Sequence, residues 1–176
     1  MKNVFLTIVA IGIVLSTYAQ DVSVFDKYED YDEVTTVVVS KRAFKLLKKI
    51  GNDSEEKFKD MVEGLNGLKV FTTTDTKVAA EMKVTFTKYR KSAKLEELIR
   101  VKDKDAHVKI YVKEGKDEDH VSEFLMLVDK IKTSSDGEEP KIVIISIVGD
   151  INLNTISKIT DQMDIEGKEH VRKAKK

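Results

Sequence analysis

A chain of 176 residues with 41% apolar side chains is about the usual size of one domain and can bury a sizeable core. Its charge is high but balanced, 31 basic against 31 acidic residues, which excludes bulk attraction to nucleic acid or to an anionic membrane. It has no cysteine, which excludes disulfides, thiolate metal sites and a lipid-modified N-terminal cysteine, so packing alone must hold the fold.

Residues 1–19 read as a secretory signal peptide. Lys2 and Asn3 give a short polar, positive start, Val4–Leu15 is apolar, and Thr17 and Ala19 put small residues at the positions that precede a cut. A membrane anchor needs roughly 20 apolar residues, and this run stops at Ser16. The mature chain is therefore expected to begin at Gln20, to be exported into the periplasm or the medium, and to keep no integral membrane span.

Residues 20–32 form a lead-in segment in which Phe25, Tyr28 and Tyr31 recur three apart, the spacing of one face of a short helix that packs its rings on the body. The main domain, residues 33–166, opens with a β-branched strand, Glu33–Val39. Ser40 is placed to cap a helix that turns Ala43, Phe44, Leu46, Leu47 and Ile50 inward and a lysine-rich face outward, with Gly51 at its end. Asp53 and Glu56 start a second helix, with Phe58, Met61, Val62 and Leu65 on its stripe and Asn66-Gly67 as its stop. Leu68–Thr73 resumes as a strand, expected parallel to the first through a right-handed crossover.

Asp75 opens a third, long helix whose stripe is Val78, Ala79, Met82, Phe86, Tyr89 and Ala93. Four short runs follow: Leu95–Lys102, Ala106–Lys113, His120–Lys130 and Lys141–Gly149, an antiparallel meander joined by charged or turn-forming links. In the second run Val108, Ile110 and Val112 face in while Lys109, Tyr111 and Lys113 face out. In the third, Phe124, Met126 and Val128 oppose Leu125 and Leu127, so both of its faces are covered. The fourth is apolar at both parities, with Ile142, Ile144 and Val148 on one face and Val143, Ile145 and Ile147 on the other, the signature of a central strand. Asn152 or Asn154 caps a last helix bearing Ile156, Ile159 and Met163, and residues 167–176 form a basic tail with Lys168, Arg172, Lys173, Lys175 and Lys176. The expected class is α+β: a single mixed sheet in the order βααβαββββα, with helices packed against it.

Five segments, VVVSKRAFKLL at Val37–Leu47, LNGLKVFTT at Leu65–Thr73, LEELIRV at Leu95–Val101, HVKIYVKEG at His107–Gly115 and IVGDINL at Ile147–Leu153, together resemble the DUF4252 family of exported bacterial proteins of unknown function. The resemblance implies a fold and an envelope location. It supplies no catalytic residue.

Chemistry is sparse. The histidines, His107, His120 and His170, fall in two strands and the tail, whereas zinc or general-base chemistry needs side chains that converge. The densest ligand cluster is Asp117-Glu118-Asp119-His120 with Glu123, open to a weak divalent-cation reading or to that of a solvated hairpin tip; it lacks the glycine and spacing of an EF-hand. There is no Gly-x-Ser-x-Gly elbow, no phosphate-cradling glycine loop beyond the isolated Gly149-Asp150, and Glu96 and Glu97 project to opposite faces of their strand. No catalytic, cofactor-binding or metal residue is named on this basis, and no cofactor. The function expected is that of a non-catalytic binding or structural module of the cell envelope, with an envelope protein as partner. The alternative is a small periplasmic enzyme or ligand carrier with a pocket between sheet and helices.

Overall fold

The structure, a computed structural model, describes residues 23–50, 62, 64–104, 106–129, 131 and 139–153. The expected signal peptide, most of the second helix, the last helix and the basic tail with His170 lie outside the described residues.

Six strands make one sheet. In chain order they are β1 (Val34–Ser40), β2 (Leu65–Thr73), β3 (Glu96–Lys102), β4 (His107–Glu114), β5 (His120–Asp129) and β6 (Ile142–Asn152). Two helices are described, α1 (Lys41–Ile50) and α2 (Thr76–Ser92), and a 3-10 turn at Asp26–Asp30 precedes β1. The order across the sheet is β1-β2-β6-β5-β4-β3. This is an α+β arrangement, and the meander β3-β4-β5-β6 lies where the alternating runs put it.

The sheet is antiparallel at every pairing, not mixed as expected. The correction sits at β1 and β2, where Val34 pairs with Thr73 and Ser40 with Gly67. A connection that makes one pass over a sheet delivers the next strand parallel. Here the chain leaves β1 and enters β2 at the same end of the sheet, so the stretch between them makes no net pass. β2 also begins earlier than expected: Leu65, Asn66 and Gly67 belong to the strand and not to the end of the second helix.

Local signals account for the helices. The Asp75 carboxylate accepts from the backbone N–H groups of Lys77 and Val78, both at 2.8 Å, and so starts α2. Ser40 Oγ accepts from Ala43 N at 3.3 Å and starts α1. The predicted stripe of α2 is the buried one: Ala79, Met82 and Phe86 enter the core, with Val78, Tyr89 and Ala93 packed beside them. Among the described side chains of the expected α1 stripe Phe44 is deeply buried and Ala43 partly so, while Leu46 and Leu47 are exposed, which corrects their inward assignment. That helix lies over β1 and β2 at one edge, where the sheet offers it less to cover.

The core has two layers, one on each face of the sheet. Toward α2 and the lead-in turn point Phe71, Tyr111, Leu125, Leu127, Ile142 and Ile144, joined by Phe25 and Tyr28. Toward α1 point Leu65, Ile110, Phe124, Met126, Ile145 and Ile147. Ile144 is 0% and Ile145 6% exposed, so β6 is the two-sided central strand that its composition predicts. Each fully buried side chain of this size contributes about 1.5–3 kcal/mol. Tyr111, expected to face out, is buried: its face of β4 is covered by α2, with Phe86 edge-on at 5.7 Å between ring centroids.

The lead-in segment packs as its aromatic spacing predicts. Phe25 and Tyr28 are completely buried. Phe25 meets Tyr89 edge-on at 5.8 Å, and the Tyr28 hydroxyl lies 2.8 Å from Thr85 Oγ1 on α2. Lys69 of β2 reaches back to Asp26 at 2.5 Å and Glu29 at 3.1 Å.

Candidate functional site

Besides the ion pairs of the lead-in turn, two clusters of charged and polar groups among the described residues lie at opposite ends of the β4–β5 hairpin. The first is the hairpin turn singled out from the sequence. Asp117 Oδ1 accepts from Asp119 N at 3.1 Å, folding the turn on itself, and Gly115 N–H bonds to His120 O at 3.0 Å. His120, the first residue of β5, has its Nδ1 2.5 Å from Asp117 Oδ1 and its Nε2 3.5 Å from Asn152 Nδ2. The ring thus stands between the Asp117 carboxylate and the Asn152 amide. The hydrogen bond with His120 holds the Asp117 carboxyl below the ordinary aspartate value.

The turn is also fastened to the end of β6. Lys116 Nζ sits 2.6 Å from Asp150 Oδ2, and Leu153 N–H bonds to Asp119 O at 2.9 Å. Glu118 is exposed, and Glu123 is buried on β5 past a bulge, opposite Val148. Among the described residues no three His, Asp or Glu side chains converge to hold a metal ion. The acids and the histidine of this segment work on one another as a clasp between the hairpin and β6.

Gly149 has a similar explanation. It adopts φ +144° and Gly64 φ +86°, and the two backbones approach where β2 bulges against β6. The glycine admits a neighbouring strand there, not a phosphate.

The second place was not anticipated. Asp129, the last residue of β5, is only 5% exposed. Lys83 Nζ of α2 lies 2.5 Å from its Oδ2, and His107 Nδ1 of β4 lies 3.2 Å from its Oδ1. Both approaches are close, yet neither has the angle of a directed hydrogen bond. Lys83 and Asp129 bind α2 to the sheet through charge, with the His107 ring beside the same carboxylate. A readable signal existed: His107 and Asp129 bracket the β4–β5 hairpin and pair directly across it. Further along β4, Tyr111 donates to Glu97 Oε2 at 2.8 Å, with the Arg90 guanidinium 5.0 Å over its ring and Arg100 paired to the same carboxylate. Glu96 and Glu97 do fall on opposite faces, opposite Val112 and Tyr111.

The family model described as "Domain of unknown function (DUF4252)" matches residues 28–159. The chain belongs to the DUF4252 family. The matched stretch takes in the six described strands, both described helices and the two hairpin clusters. No curated protein and no solved structure matches the chain. Among the described residues no helix is long and apolar enough to cross a membrane.

Proposed function

We propose that this DUF4252 protein is an exported component of the cell envelope that acts as a non-catalytic binding or structural module. The observation that carries this reading is the use made of β5 and β6. Leu125, Leu127, Ile142 and Ile144 fill one face, and Phe124, Met126, Ile145 and Ile147 the other, so the middle of the molecule is packed hydrocarbon. Such a body offers its edges and outer surfaces to partners. Export rests on the pattern of residues 1–19.

Two measurements on the native host test it together. The protein should occur in the soluble envelope fraction without residues 1–19 and should capture an envelope protein in pull-downs. Intact protein that keeps residues 1–19 in carbonate-washed membranes would defeat the export reading. A second reading, a ligand carrier or small periplasmic enzyme, draws on Asp129, a carboxylate enclosed between α2 and the sheet. A metabolite that raises the melting temperature of the purified protein, but not that of Asp129→Asn, would favour it instead.

A further inference from the structure

The sheet has two edges, and they differ in chemistry. β3 carries Glu96, Glu97, Arg100 and Lys102, the kind of charge that keeps an edge strand from pairing with another chain. β1 reads VTTVVVS, without a charge or a proline. Val37 and Val38, on opposite faces of it, are each 50% exposed. Because α1 turns back toward β2, with Phe44 in the core, it leaves this edge open.

The outward groups of β1 can be assigned. Val34 N–H bonds to Tyr31 O at 3.1 Å, away from β2. Direction alternates along an antiparallel strand, so Thr36 and Val38 also aim their N–H and C=O away from β2.

We propose that β1 pairs with β1 of a second copy of this chain, antiparallel about a two-fold axis at Val37, joining two sheets into one. In that register Val37 faces its own counterpart and Thr36 faces Val38 on both sides of the axis, while Val34, whose N–H is held by Tyr31, has only its C=O to offer opposite Ser40. The outward-directed positions meet one another, as a hydrogen-bonded ladder requires. The flanks then match in charge. Immediately beyond the strand, Asp32 and Glu33 of the turn before β1 come to the same end of the interface as the partner's Lys41 and Arg42, which open α1, so opposite charges flank both ends. All four residues are exposed. Parallel pairing would set Glu33 against Glu33 and Lys41 against Lys41. A two-residue slip would set Lys41 beside Thr35 and carry it away from Glu33. Absence of charge along the strand, opposite charge at its two ends and correct hydrogen-bond parity select the same isologous contact. The contact is independent of whether the chain is exported.

The test is sedimentation equilibrium of the purified protein, with cysteine crosslinking to read the register. The wild type should sediment at about twice the 20.0 kDa of the full chain. Val37→Asp puts like charges opposite each other across the axis and should raise the dimer dissociation constant at least about tenfold. An unchanged circular dichroism spectrum would show that the monomer stays folded. Lys41→Glu should weaken the dimer, and Glu33→Lys added to it should restore it. In this cysteine-free chain, Val37→Cys should form a disulfide with its counterpart, since such directly opposed positions lie about 4.5 Å apart at Cα, whereas Thr35→Cys should not. A wild type that is monomeric at every concentration overturns the proposal, even if β1 then accepts a strand from another protein. So does a dimer indifferent to Val37→Asp, or one that crosslinks equally through Thr35→Cys.

Discussion

Gly64 and Gly149 hold each other's backbones closer than any side chain permits. A Cβ on Gly149 would lie 2.3 Å from the Gly64 carbonyl oxygen, and one on Gly64 would lie 2.5 Å from the Asp150 carbonyl oxygen. Between them Asp150 N–H donates to Gly64 O at 2.9 Å. Gly149→Ala meets both a strained φ and a backbone clash and should cost about 3 kcal/mol. Gly64→Ala should behave alike. Since both crowd one approach, the double variant should lose less than the sum of the two. Urea unfolding midpoints measure all three, and a midpoint unmoved by Gly149→Ala would refute the account.

The lead-in turn should behave as part of the core, not as a tail. Phe25→Ala removes a ring that is completely buried and should cost about 3–5 kcal/mol. Tyr28→Phe removes only the hydroxyl that reaches Thr85 at 2.8 Å and Glu81 at 3.3 Å and should cost about 1 kcal/mol. Hydrogen exchange at the turn's amides would separate the two: Phe25→Ala should release the turn well below the global unfolding free energy, and Tyr28→Phe should not.

Acid should weaken the same attachment. A hydrogen bond from Lys27 at 2.7 Å, helped by the Tyr28 and Tyr31 hydroxyls, holds the Glu81 carboxyl below its ordinary value of 4.5. A carboxyl lowered by folding contributes stability above its unfolded value and loses it as pH falls through its folded value. The difference in melting temperature between wild type and Glu81→Gln should therefore be constant near neutral pH and shrink as pH drops from about 4.5. Lys27, raised by that hydrogen bond, acts at the other limit: its contribution is complete below 10.5 and is lost as pH climbs through its folded value. A wild-type to Glu81→Gln difference that widens in acid would contradict the assignment.

Lys83→Ala leaves Asp129 facing His107 alone, with its carboxylate enclosed. Half of the lysine side chain is exposed, so the loss should be about 1–2 kcal/mol, short of that for a fully buried pair. Asp129→Asn should make the lysine nearly dispensable, and a double-mutant cycle read by chemical denaturation gives the coupling. Additive losses would mean that Lys83 and Asp129 do not interact.

Much of this was legible in the residues because periodicity and caps are local. The parity of β6, the stripe of α2, the Asp75 cap and the docking of Phe25 and Tyr28 could each be read from a few neighbouring positions. Strand direction could not: whether β1 and β2 run parallel depends on where the intervening chain ends, a non-local fact. Tyr111 misled because a tyrosine between two lysines resembles a solvent face, and only α2 laid across β4 covers it. Leu46 and Leu47 misled in the opposite sense, since an amphipathic helix at the rim of a sheet has more apolar surface than the rim can cover. Among the site residues, Asp117 and His120 were conspicuous by proximity in sequence. Asp129 was not, because Lys83 comes from α2 and His107 stands 22 positions away in sequence, although strand pairing sets it directly opposite.

The position of β6 bears on how the molecule assembles during synthesis. It is the last described strand to leave the ribosome, yet it lies between β2 and β5. Until it arrives, the β1–β2 ladder and the β3–β4–β5 ladder have no strand to bridge them. A nascent chain lacking β6 is two unzipped halves, each with a raw inner border. Closure of the fold thus waits for Ile142–Asn152, whatever the two halves have done before.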